Sequence, residues 1–238
     1  MARQFARGGS NSDALAHLHP LFRRLERVRS LTAFSAVRPL DLSRPVDDPP
    51  LRVSHLTSLA SEAYVRLLHP IRVETGTGLS AEWSWASVAD RVVTPDEPLR
   101  HLLSGARPRL DPGGLRVGCE PGVLPGRQAS TLARILSSDP TEVHYMYFWD
   151  GISGFDDPGP HVYDGSPALV GCLYPQQDVF RVTPSLWWGS SREWFVATHP
   201  DATSTYIGAP QAIVQAVLGH KGLEAQPATA STPVDIWR

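Results

Sequence analysis

Between residues 143 and 208 one strand-like run follows another with only Pro, Gly and Asp punctuation between them: VHYMYFWDG, ALVGCLY, DVFRV, EWFVAT and STYIG. The runs are apolar, and most are dense in β-branched and aromatic residues, the side chains that pack well on a pleated surface. Parallel neighbours would require a long crossover, usually a helix, between successive strands. Strands that follow one another without helices therefore predict a mostly antiparallel sheet. VHYMYFWDG, residues 143–151, is apolar on both alternating faces and stops at an Asp-Gly turn signal, which places it in the sheet interior.

Helical periodicity predicts the remaining elements. SHLTSLASEAYVRLLHP, residues 54–70, repeats Leu56, Leu59, Ala60, Ala63, Tyr64, Leu67 and Leu68 at three- and four-residue steps and ends at Pro70. Shorter helices are expected in PLFRRLERVRS from Pro20, in WSWASVADRVV with Ser84 as a cap, and in RQASTLARILSS. APQAIVQAVLGHKG forms a last helix ended by Gly219 or Gly222. IRVE reads as a short strand, TGTG as a turn, and residues 94–126 as mostly loop. The fold class expected is α+β, with N-terminal helices packed on a mostly antiparallel sheet and a closing C-terminal helix. Residues 1–52 read as a flexible tail, a short helix and a Pro-rich linker, since RPLDLSRPVDDPPLR holds four prolines and three aspartates that resist both helix and central strand. A single domain spans 53–225, and 226–238 is a C-terminal tail.

At 42% hydrophobic and 19% charged residues, 238 residues can bury a sizeable core. A net charge of −2 supplies no overall attraction to nucleic acid or to an anionic membrane surface. Lys221 is the only lysine, a skew spread over the whole chain that reads as base composition more than as anion recognition. Cys119 and Cys172 lie far apart without metal-ligand or CxxC spacing, so reduced thiols are expected. The N-terminal residues carry no apolar signal-peptide core, and no run reaches the length of a membrane span. A cytoplasmic location follows as the expectation, with no nucleic acid or membrane partner.

The sequence holds no P-loop, no HExxH and no GxSxG elbow. GTGLSA, residues 76–81, matches a G-x-G-x-x-A dinucleotide pattern only formally, because no βαβ unit surrounds it. His17 and His19 lack a third ligand, and the acidic loop DGISGFDD, residues 150–157, departs from calcium-loop spacing. No cofactor and no metal are expected. The weak candidates for catalysis are Asp150, His199 and Asp201. Ser191 and Thr205 supply hydroxyls nearby, but a triad is a geometry that a list of residues cannot establish.

SLWWGSSREWFVATHPDATSTYIG, residues 185–208, is the segment with most functional promise. Trp194 and Val196 should face one way and Phe195 and Ala197 the other, as core residues. Trp187 and Trp188 follow Pro184 and precede Gly189. Adjacent strand residues point to opposite faces, so at least one of these indoles is expected at the surface, beside an apolar patch or groove. Trp187, Trp188, Asp201 and Tyr206 are the candidate binding residues.

AYVRLLHP (63–70), WSWASVAD (83–90), YFWDG (147–151) and above all LWWGSSREWFVATHPDATSTYIGAPQAIVQAVL (186–218) resemble a widespread actinobacterial protein family without an assigned activity. The likeness covers roughly residues 60–225 and implies one folded domain. That family usually has a proline and an acid after the paired tryptophans and an acid before the next turn, where this chain has Gly189, Ser190 and His199. No catalytic residue carries over. A looser likeness, to the SMI1/KNR4-type immunity superfamily, rests on an aromatic strand ending near Asp-Gly and a sheet followed by a C-terminal helix; it implies a protein-binding scaffold. The expected function is a non-catalytic protein-binding module, immunity-like or regulatory. The alternative is a small-molecule hydrolase or transferase with an Asp/His site. Neither the partner nor the oligomeric state is legible in the sequence.

Overall fold

The computed structural model describes residues 26–27, 51–57, 61–74, 80–87, 109–110, 116–119, 121–137, 144–148, 161–172 and 183–235. The first half of the chain supplies β1 (Glu26–Arg27), α1 (Val53–Thr57), β2 (Ala63–Leu68), β3 (Ile71–Glu74), β4 (Ser80–Trp83), β5 (Arg109–Leu110) and β6 (Arg116–Cys119). After these come α2 (Gly126–Leu136), β7 (His144–Phe148), β8 (His161–Asp164) and α3 (Ala168–Cys172). The C-terminal part adds β9 (Leu186–Gly189), β10 (Phe195–Ala197), β11 (Ser204–Ala209), α4 (Gln211–Leu218) and β12 (Ala225–Ala228). Eight strands form one sheet in the order β1-β8-β7-β9-β10-β11-β2-β12, and four form a second in the order β4-β3-β6-β5. The pairings named between these strands are antiparallel. The class is α+β.

Both faces of the large sheet are covered, and strand alternation sorts side chains between two cores. Val65, Leu67, Met146, Trp187, Trp194, Val196 and Ile207 meet α2, α3 and α4 through Leu132, Leu136, Val170, Val214 and Val217. Leu186, Trp188, Phe195, Ala197 and Tyr206 meet Val53 and Leu56 of α1 and Val234 on the opposite face. β7 lies between β8 and β9, the interior position its two-sided apolar pattern demands. Trp194 and Val196 do part from Phe195 and Ala197. The helices read from RQASTLARIL and QAIVQAVL form, as do the strands IRVE and STYIGA. Ser84 caps its turn, its Oγ accepting the Ser87 N–H at 3.0 Å.

Four expectations are overturned. Residues 63–68 form a strand, not the second half of a helix. Leu67 and Leu68 are adjacent and both buried, on opposite faces of β2, a pattern that also satisfies helical spacing, while backbone pairing with β11 and β12 on the two edges fixes the run as strand. ALVGC is helical, and its start signal is local: Ser166 Oγ accepts the Ala168 N–H and Pro167 occupies the first turn. Glu26 and Arg27, within the short helix expected from Pro20, pair instead as strand with Asp164 and Tyr163. The last correction concerns residues 226–235, which are no tail. β12 pairs along β2, Val234 is buried, and the carbonyls of Thr232 and Ala230 accept the first N–H groups of α1, from Val53 and Ser54. A short helix thus has its unsatisfied donors capped by the chain's C-terminal segment. The regions of the predicted DVFRV strand and the TGTG turn lie outside the described residues. Ser80 and Ala81 belong to β4, so GTGLSA does not open a helix as a dinucleotide fingerprint would.

Candidate functional site

One end of the large sheet is polar where its middle is apolar. β2 and β10 finish there, and β9 and β11 begin there, bringing His69, Thr183, Ser185, Thr198, His199, Ser204 and Thr205 together as buried polar side chains. Thr198 follows β10 directly across from Thr205 in the register set by Ala197 and Tyr206. Their hydroxyls lie 2.8 Å apart. His69 Nε2 is 2.9 Å from the Thr205 hydroxyl, closing a chain of three side chains on the face that carries Val65 and Leu67. The His69 carbonyl accepts the Trp85 indole N–H at 2.7 Å and the Cys119 thiol at 3.6 Å. The Gln128 amide donates to the Leu68 carbonyl at 2.9 Å. Glu224 binds the same region to the helical turn after β4, its carboxylate accepting the Trp85 and Ala86 N–H groups at 2.7 and 2.9 Å.

Burial determines the protonation states. It lowers His69 to about 3, with the Arg66 charge acting in the same direction, so the ring is neutral at physiological pH. Burial raises Cys119 to about 12 against the opposing effect of Arg66, and a thiol in that state is no nucleophile. His199 also lies below its ordinary value, burial outweighing the attraction of Asp201. Its Nδ1 accepts the Asp201 backbone N–H at 3.1 Å, which places the ring proton on Nε2. In that tautomer Nε2 already carries the ring proton and cannot take up another. Asp201 Oδ2 sits 3.8 Å from the same Nδ1 with its side chain 61% exposed.

On the other face of the sheet, Arg66 donates to Ser204 Oγ at 3.0 Å and forms an ion pair with Asp235. The Tyr206 hydroxyl accepts the Asp235 N–H at 2.8 Å, and burial holds that phenol up at about 12.

The sequence candidates are scattered by this geometry. Trp187 and Trp188 are each 1% exposed, so the expected surface indole does not exist. β9 lies between β7 and β10 in a sheet covered on both faces, and opposite side-chain directions lead into two cores instead of one core and solvent. Tyr206 is buried and bonded to the C-terminal segment, leaving Asp201 as the one accessible member of the predicted binding set. The partners of Thr205 are His69 and Thr198, and Ser191 stands at the exposed tip of the β9–β10 hairpin. Asp150, His17 and His19 lie outside the described residues. In the sequence His69 is marked only by the Pro70 that follows it. The available signal was Thr198, Thr203 and Thr205 recurring at the ends of two adjacent strands. Among the described residues no three His, Cys, Asp or Glu side chains gather as a metal-binding group, and no helix is long and apolar enough to cross a membrane.

The loop beside this end is fixed by Gly122. Its φ is +73°, and a Cβ there would lie 2.2 Å from the Pro200 carbonyl oxygen. Gly122→Ala is therefore expected to lose about 1–3 kcal/mol through left-handed strain and forced displacement of backbone. Urea unfolding measures this, and a loss within experimental scatter would show that the two loops are not in contact. Comparison with protein-family models, with curated proteins and with solved structures finds no match.

Proposed function

We propose that the chain is a non-catalytic protein-binding module of regulatory or immunity-like role, and that its partner seats on the outer face of α4. The observation that carries this reading is the absence of charge from a solvent-facing helix. Gln211, Ala212, Gln215 and Ala216 are exposed, Ile213 and Leu218 are half-buried, and residues 211–218 include no Asp, Glu, Lys or Arg. Surface helices ordinarily place charges opposite their buried stripe, whereas the centres of protein interfaces are depleted of them. The neutral ring of His69 and the protonated thiol of Cys119 agree with a binding role. A hydrolase or transferase centred on His199 and Asp201 gains no comparable support, because the ring nitrogen facing Asp201 is already an acceptor for backbone.

Glutamate introduced at Ala212 or Ala216 tests the proposal, since exposed helix positions tolerate such changes within about 0.5 kcal/mol. A protein captured from lysate by the wild type, then purified, is expected to bind each variant about 30-fold more weakly while thermal stability is unchanged. Equal affinity for wild type and both variants would remove α4 from the interface.

A further inference from the structure

We propose that the turn from His199 to Ala202 is a pH-dependent switch, in which an exchange of partners at His199 Nδ1 moves the Gly122 loop. In the neutral ring this nitrogen accepts the Asp201 N–H at 3.1 Å. A proton taken from solvent onto Nδ1 would set one N–H against another, so the backbone bond cannot persist. The replacement acceptor is already adjacent, with Asp201 Oδ2 3.8 Å from the same nitrogen. Protonation thus converts a backbone hydrogen bond into an ion pair with the side chain of the same residue, and Asp201 must turn to make it.

The movement has a route outward. Ala202 N–H donates to the His199 carbonyl at 2.9 Å across the turn, and Gly122 N–H donates to the Ala202 carbonyl at 2.8 Å. Gly122 packs so closely on Pro200 that there is no room for a Cβ. A turn that rotates at Asp201 therefore displaces the 121–124 loop, whose Leu124 N–H rests on the Thr183 hydroxyl at 3.4 Å. Among the described residues, Asp201 is the charged group acting on the ring, and burial opposes it. The exchange accordingly falls on the acid side of the ordinary histidine value of 6.5. The polar end of the sheet then has two arrangements selected by pH.

Amide and histidine-ring resonances followed by NMR from about pH 7.5 to about pH 4.5 test this. The His199 ring and the amides of Asp201 and Gly122 are expected to titrate together with one midpoint below 6.5. Asp201→Asn keeps the backbone donor but removes the anionic acceptor. That variant is expected to lower the His199 midpoint further and to reduce the Gly122 response at least twofold, while the other amides retain their neutral-pH positions. A Gly122 amide that stays still, one that follows a different midpoint, or a Gly122 response undiminished in Asp201→Asn would each overturn the switch.

Discussion

Replacing either Trp187 or Trp188 with alanine is expected to cost about 3–5 kcal/mol of stability, the range for deleting a large aromatic side chain from a packed interior. Both rings are enclosed, but by different neighbours. Trp187 meets Trp194 edge-on with centroids 6.0 Å apart, under the cover of α2, α3 and α4. Trp188 stacks on Phe195 at 5.8 Å with ring planes 3° apart and touches Tyr145 at 5.6 Å, beneath α1 and Val234. Each deletion leaves a cavity that the strands cannot close, because β9 is held by backbone hydrogen bonds on both edges. Urea midpoints at unchanged m-value provide the measurement. A loss below about 1 kcal/mol at either position would mean that the ring is not packed as described, and would return it to consideration as a contact residue. Losses of this size would also explain any binding defect in these variants as unfolding.

The aromatic block was legible as sheet because β propensity, two-sided apolarity and turn residues all pointed the same way between residues 143 and 208. What failed was the step from direction to exposure. Alternation says that Trp187 and Trp188 face opposite ways, but whether the second face meets water depends on what lies over it. The cover comes from α1 and Val234, segments remote in sequence that carry no mark of that role. The same property misled the reading of residues 63–68. A strand that buries leucines on both faces has no strict period of two, so Leu67 and Leu68 could be counted into a helical stripe when both are simply buried. ALVGC failed in the opposite sense, since its Ser166-Pro167 start signal was present and was outweighed by composition. In the candidate site, His199 and Asp201 are neighbours as their spacing implies. The pairing of His69 with Thr205 joins residues 136 positions apart and is fixed only by the register of β2 on β11.

That pairing is expected to make the protein acid-labile in a way a single substitution can isolate. His69 is neutral when folded, with its value lowered to about 3 from 6.5, so between these limits the unfolded chain binds a proton that the folded protein refuses. The unfolded state binding more protons means that stability rises with pH across this window. The contribution is fully present above about pH 6.5 and is lost progressively as the pH falls towards about 3. At its steepest one such group changes stability by about 1.4 kcal/mol per pH unit, which over the window amounts to several kcal/mol. His199 is shifted in the same direction and steepens the upper part of the slope, while carboxylates add their own dependence. His69→Gln separates these terms, because its amide nitrogen can still reach the Thr205 hydroxyl but does not titrate. Denaturant midpoints for the two proteins at intervals from about pH 7 to about pH 4 are expected to converge as the wild type loses stability faster. Parallel curves would falsify the neutral buried imidazole.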